Sequence, residues 1–198
     1  MTELIDDKIR AELEVLYRAP DRHYHGTAHV EALLGLAKTH AGLLSDPEAV
    51  EAAIWFHDAI YDSTAKDNEA SSAALAVERL TERTDPARLA RIVAMIEATA
   101  THRLPALDTP EATSDAAYFL DMDLAVLGAE PDAFDAYEDG VRREYAWVDD
   151  ASWRTGRAAV LKNFLDRPHL FHTPTFRENF EDAARANIHR SLEKLRQS

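Results

Sequence analysis

Apolar positions along the chain recur at three- and four-residue spacing, the period of an amphipathic helix. Leu4, Ile5, Ile9, Leu13 and Leu16 place a first helix from a cap at Thr2 to about Tyr17. Arg18-Ala19-Pro20-Asp21-Arg22 breaks that pattern, and a second helix starts near Thr27 and runs to Leu44, with Leu33, Leu34, Leu36, Ala37 and Leu43 as its buried stripe. Ser45-Asp46-Pro47 reads as an N-cap followed by proline at the first helical position. It opens the helix that carries Trp55-Phe56-His57-Asp58. Asp62 to Asp67 is a polar loop, and an Ala-rich helix follows from Asn68 to Glu82. Thr84-Asp85-Pro86 repeats the cap-plus-proline signal and opens a helix toward Thr101-His102. After a loop with Pro105 and Pro110, a helix over Ser114 to Leu127 turns Phe119, Leu120, Leu124 and Leu127 inward, with Gly128 set for a left-handed stop. Pro131 opens a helix to Trp147, Asp149 or Asp150 opens one through Leu165, and Thr173-Pro174 opens the last, which reaches Leu195. β-Branched alternation is absent, so the pattern predicts about nine helices and an all-α fold.

Composition narrows this picture. The 198 residues suit a single domain, 1–198, with a sizeable core, and only 6 glycines favour helices over hairpins. With no cysteine there is neither a disulfide framework nor a thiolate zinc site, so a metal must sit on His, Asp or Glu. The absence of cysteine also agrees with a reducing cytoplasm. Met1 to Asp7 lacks the regions of a signal peptide, and no apolar run approaches a membrane span, so the expectation is a cytoplasmic protein with no membrane partner. Lys and Arg total 22 against 36 Asp and Glu, a net charge of −14 that repels a polyanionic backbone. Long nucleic acid is therefore not an expected partner, whereas a small phosphate ester held by a metal and a few arginines is.

Candidate chemistry starts at His57-Asp58, an imidazole and a carboxylate at the end of an apolar run. A buried, unpaired carboxylate is costly, so the pair calls for hydrogen bonds or a cation unless it simply meets solvent at a helix end. His25 and His29 are four residues apart and face the same way if both lie on one helical turn. Asp121 and Asp123 interrupt the apolar stretch from Phe119 to Leu124. In chain order these residues read His, His-Asp, Asp, distributed over three helices. His102 is the only histidine between Asp58 and Asp123, suited to a phosphate, a second metal or a solvated helix end. Glu69 suits either metal-bound water or the favourable start of a helix dipole. Arg22, Arg142 and Arg157 suit phosphate or surface ion pairs, with Arg22 first because it lies just before His25. Trp55, Phe56 and Tyr61 read as core packing, and His23, His40, His169, His172 and His189 as exposed or locally bonded.

The chain resembles the HD-domain superfamily of metal-dependent phosphohydrolases, whose name comes from an adjacent His-Asp like His57-Asp58. Tyr24-His25-Gly26-Thr27-Ala28-His29-Val30 is similar to the Tyr-His-Asn-x-x-His-Ala segment of cyclic-nucleotide phosphodiesterases, which share that helical arrangement. The resemblance implies that His29 is the first metal ligand and that His25 protonates a leaving oxygen. It also implies that Phe119-Leu120-Asp121-Met122-Asp123-Leu124 supplies the last carboxylate, with Asp123 favoured over Asp121 because it precedes a leucine. More narrowly, Arg22-His23-Tyr24-His25, Trp55 to Tyr61, Asn68 to Ala73, Thr99-Ala100-Thr101-His102 and Arg142-Arg143-Glu144-Tyr145 resemble the branch described as predicted metal-dependent HD phosphohydrolases. On this reading the metal-site motifs fall within 22–124, and the helices over 131–196 pack on them.

A set of His29, His57, Asp58 and Asp123 suits a divalent ion, whether Mn²⁺, Fe²⁺, Co²⁺, Ni²⁺, Zn²⁺ or Mg²⁺. Open positions on it would take water and a phosphate oxygen, with Asp58 as general base and Arg22, His102, Glu69 and Arg142 toward substrate. The expected function is hydrolysis of a small phosphate ester, nucleotides included, by a metal-activated water. Two other readings keep the fold: a di-iron oxygenase, which needs more mid-motif histidines than His102 alone, and a non-catalytic binding module stapled by metal. The C-terminal third, with Arg-Glu pairs such as Arg177-Glu178, reads as a solvated helix with a face for the core and for a second subunit, which allows a homo-oligomer.

Overall fold

A computed structural model describes residues 3–197, and the fold is all-α. Among the described residues there are nine α-helices and no strand. They are α1 (Asp7–Tyr17), α2 (Thr27–Thr39), α3 (Pro47–Phe56), α4 (Asn68–Leu80), α5 (Pro86–Ala98), α6 (Pro110–Leu124), α7 (Pro131–Glu144), α8 (Asp150–Leu165) and α9 (Pro174–Gln197). None of them is long and apolar enough to cross a membrane. The helices gather into two compact units, residues 1–123 and 124–198.

The first unit is built around α3. Seven of its residues are buried, Ala49, Val50, Ala52, Ala53, Ile54, Trp55 and Phe56, and a helix this apolar, with only Pro47, Glu48 and Glu51 toward solvent, belongs in the middle of a core. It packs against α1, α2, α4 and α5. The alanines let those neighbours approach, while Ile54 and Phe56, both wholly buried, contribute about 1.5–3 kcal/mol each by leaving water. Ile9, Leu13 and Tyr17 of α1, Val30 and Leu33 of α2, Leu80 of α4, and Ile92 and Ile96 of α5 complete this core.

Helix starts follow local chemistry. Asp46 accepts a hydrogen bond from the Ala49 amide ahead of Pro47, and Asp85 accepts from the Ala87 and Arg88 amides ahead of Pro86. Both match the sequence expectation. The first helix differs: its cap is Asp6, which accepts from the Ile9 amide, while Thr2 lies outside the described residues. Helix α6 starts at Pro110, ahead of the expected Ser114, because Thr109 accepts from the Ala112 amide and makes Thr109-Pro110 a third cap-plus-proline start. Helix α2 stops at Thr39 and is followed by a 3₁₀ turn, Ala41–Leu43, which leaves Leu43 51% exposed instead of buried. The buried face of α2 is His29, Val30 and Leu33, with Leu34, Leu36 and Ala37 half-buried.

In the second unit, α9 packs on α8 and on the 3₁₀ turn Ala125–Gly128 that follows α6. Phe134, Leu161, Phe171, Phe176 and Ile188 fill its core. Asn187 of α9 donates to the carbonyls of Leu127 and Ala129 at 2.9 and 2.8 Å, which satisfies groups the turn leaves open. Gly128 is not left-handed, contrary to the expected helix stop. A Cβ there would lie 2.7 Å from both the Cβ and the carbonyl oxygen of Phe180, so the close approach of α9 is what requires glycine.

Candidate metal centre

The candidate centre forms where three segments of the first unit end or begin. Helix α3 stops at Phe56, and His57 is its C-cap, with its amide donating to the Ala53 carbonyl at 2.9 Å. The His57 side chain is 1% exposed, and its Nδ1 lies 2.8 Å from the Ile54 carbonyl, so Nδ1 carries the proton given to that oxygen and Nε2 points into the cluster. Asp58 follows in a turn, with the Ala59 amide donating to the Phe56 carbonyl at 3.0 Å. His29 lies in the first turn of α2 and is 6% exposed. Asp123 comes from the last turn of α6.

These side chains meet closely. His29 Nε2 is 3.1 Å from His57 Nε2, 3.1 Å from Asp123 Oδ1 and 3.7 Å from Asp58 Oδ2. His57 Nε2 is 3.0 Å from Asp58 Oδ2 and 3.6 Å from Asp123 Oδ1. An ion about 2.1 Å from each ligand sets adjacent ligands about 3.0 Å apart in an octahedron and about 3.4 Å apart in a tetrahedron. The donor set fits a divalent ion on both chemistry and spacing. His29, His57 and Asp123 form a group that can hold a metal ion, and Asp58 touches its rim.

Charge distribution agrees with a cation site. Burial disfavours the charged form of His57, yet the carboxylates of Asp58 and Asp123 overcome it and raise its pKa to about 9. Burial likewise pushes Asp58 and Asp123 up, but the surrounding imidazoles prevail and hold both carboxyls well below the usual range: His57 and His25 for Asp58, His102 and His29 for Asp123. Anionic oxygens and imidazole nitrogens thus share a small, nearly dry volume that favours positive charge, and an ion bound there would displace the proton from His57 Nε2.

The structure sorts the other sequence candidates. Asp123 meets the two imidazoles; Asp121, wholly buried, is two positions away on α6, and residues so spaced do not share a helix face. His25 and His29 do not form a same-face pair, because Gly26 is the N-cap of α2 and His25 precedes the helix. His25 instead stacks on Tyr61 at 4.4 Å between centroids and meets Tyr24 edge-on at 4.9 Å. His102 donates toward Asp123, its Nε2 being 2.8 Å from Oδ2. Glu69 lies in the first turn of α4, where the helix dipole favours a carboxylate, and is not part of the cluster.

Arg22 is committed to the main chain instead of standing open to a phosphate. Its Nη1 donates to the carbonyls of Asp58 and His25 at 2.6 and 2.9 Å, and Nη2 donates to the Ala59 carbonyl at 2.8 Å. The guanidinium also lies over the rings of Tyr17 and Tyr61. Arg142 belongs to the second unit, where it donates to the Tyr145 and Val148 carbonyls and to Asp150 and so closes the corner between α7 and α8. Arg157, also in that unit, is buried and paired with Glu138. Sequence reasoning missed Tyr17, whose hydroxyl donates to the Trp55 carbonyl at 3.1 Å beneath Arg22. A contact 38 residues long in sequence leaves no local signal.

No family model matches the chain, and no curated protein or solved structure matches it.

Proposed function

We propose that the chain is a metal-dependent phosphohydrolase of the HD type that cleaves a small phosphate ester. The observation that carries this reading is the meeting of His29, His57 and Asp123 from three separate helical segments, with Asp58 at their edge. His29, His57 and Asp123 would hold a divalent ion, which would supply positive charge for a phosphoryl oxygen and acidify water near neutral pH. Asp58, whose carboxylate lies at the edge of this group 3.0 Å from His57 Nε2, serves by its position as the proton acceptor. His25, stacked on Tyr61 and close enough to influence the Asp58 charge, serves as the proton donor to the leaving oxygen.

The reading is tested by stripping the protein of metal, reconstituting it with Mn²⁺, Mg²⁺, Fe²⁺, Co²⁺, Ni²⁺ or Zn²⁺, and assaying a broad phosphoester panel that includes nucleotides. Turnover that depends on added metal and disappears in His57→Ala and Asp123→Ala supports it. Full metal occupancy in both variants by elemental analysis overturns the ligand assignment. A metal-loaded protein inert across the panel overturns the hydrolase assignment and leaves a metal-stapled binding module.

A further inference from the structure

His102 is the only residue other than glycine with a positive φ among the described residues, at 49°. It sits just past the end of α5, its amide donating to the Ala98 carbonyl at 2.8 Å, a place where chains ordinarily put glycine because a Cβ is strained there. A histidine at this point works against the local backbone preference. Strain of this kind persists only where surrounding structure holds it, and here the side chain has a specific partner. Its Nε2 lies 2.8 Å from Asp123 Oδ2, while the other oxygen of the same carboxylate, Oδ1, is 3.1 Å from His29 Nε2. The two oxygens of Asp123 are thus divided between an inner and an outer imidazole.

We propose that His102 is a positioning residue of the metal centre, fixing the Asp123 carboxylate so that Oδ1 alone faces His29 and His57. The left-handed backbone aims the imidazole from the end of α5 at the last turn of α6, and the hydrogen bond to Oδ2 stops the carboxylate from rotating. Partners of metal ligands that fix their orientation typically change metal affinity about 10- to 100-fold when removed. This role for His102 rests on the metal-centre reading given above.

Comparing His102→Gly, which relieves the strain and deletes the imidazole, with His102→Gln, which keeps the strain and a side-chain donor, separates the backbone from the side chain. The experiment titrates Co²⁺ and Mn²⁺ into metal-stripped wild type, His102→Gly and His102→Gln by calorimetry, and records the melting temperature of each metal-free form. The expected result is that H102G melts no lower than wild type yet binds Co²⁺ about 10- to 100-fold more weakly, while H102Q, which keeps a donor, regains much of that affinity. Wild-type affinity in H102G overturns the proposal. So does a wild-type stoichiometry of two ions that falls to one in H102G with the remaining affinity unchanged, since His102 would then be a ligand of a second ion. A wild type that binds no ion overturns the metal centre itself and the proposal with it.

Discussion

Arg22 holds Asp58 by its main chain: Nη1 donates to the Asp58 carbonyl at 2.6 Å, and the Asp58 carboxylate is left to face His57 Nε2 at 3.0 Å. One guanidinium thereby fixes a turn whose side chain does something else. The same group also reaches the carbonyls of His25 and Ala59, so the segments before α2 and after α3 are joined through it.

Replacing Arg22 by Ala leaves several half-buried carbonyls without their donor. A loss of about 2–4 kcal/mol in unfolding free energy is expected from urea denaturation. Arg22→Lys, a point charge that cannot fork between carbonyls, should recover less than half of it. Stability equal to wild type in R22A would show that the clamp is idle.

His57→Gln removes the imidazole and its bond to Ile54 together. Metal affinity is expected to fall at least ~100-fold by calorimetry, with helical content by circular dichroism unchanged.

The pH dependence of stability has an identifiable contributor in Asp46. Burial pushes its carboxyl up, but hydrogen bonds from Arg88 and the Ala49 amide outweigh that and lower the pKa below the ordinary 3.8. A carboxyl lowered on folding stabilises the protein above its unfolded pKa, and that contribution is lost as pH falls through the lower, folded value. Asparagine caps a helix as well as aspartate, so Asp46→Asn removes mainly the charge. The wild type should melt above D46N at pH 7, and the gap should close as pH falls below the ordinary 3.8 and through the lowered folded value. A gap independent of pH would contradict this account.

Two glycines should respond oppositely to alanine. Gly35 lies inside α2, where an added Cβ would meet nothing within 4 Å, so Gly35→Ala should stabilise by about 0.5–1 kcal/mol through helix propensity. Gly128→Ala drives a methyl to 2.7 Å from the Phe180 backbone and should destabilise by about 1–3 kcal/mol. Denaturant midpoints for the two variants, shifted in opposite directions, are the check.

Local signals are readable in the sequence where the physics is local. Asp46-Pro47 and Asp85-Pro86 announce their helices within four residues, and the apolar period places nearly every helix. Thr109-Pro110 carries the same signal but follows a Pro-containing loop, so Pro110 reads as part of that loop. The His25 and His29 spacing misleads because it assumes a shared helix, and Gly26 starts α2 between them. Contacts of His29 with Asp123, or of His102 with Asp123, depend on how helices cross and have no local signature. A following leucine favours Asp123 over Asp121 in the sequence; the face of α6 turned to the imidazoles is the physical reason.

The bond from His57 Nδ1 to the Ile54 carbonyl has a kinetic consequence. That oxygen belongs to the last turn of α3, where carbonyls lack partners within the helix, so the ligand is aimed by the same bond that finishes the helix. Opening this turn must also unseat a buried ring and strain the Arg22 bonds to the Asp58 and Ala59 carbonyls. An ion held at the proposed centre would therefore be released only on local opening of the end of α3, whose protection hydrogen exchange at the His57 amide reports.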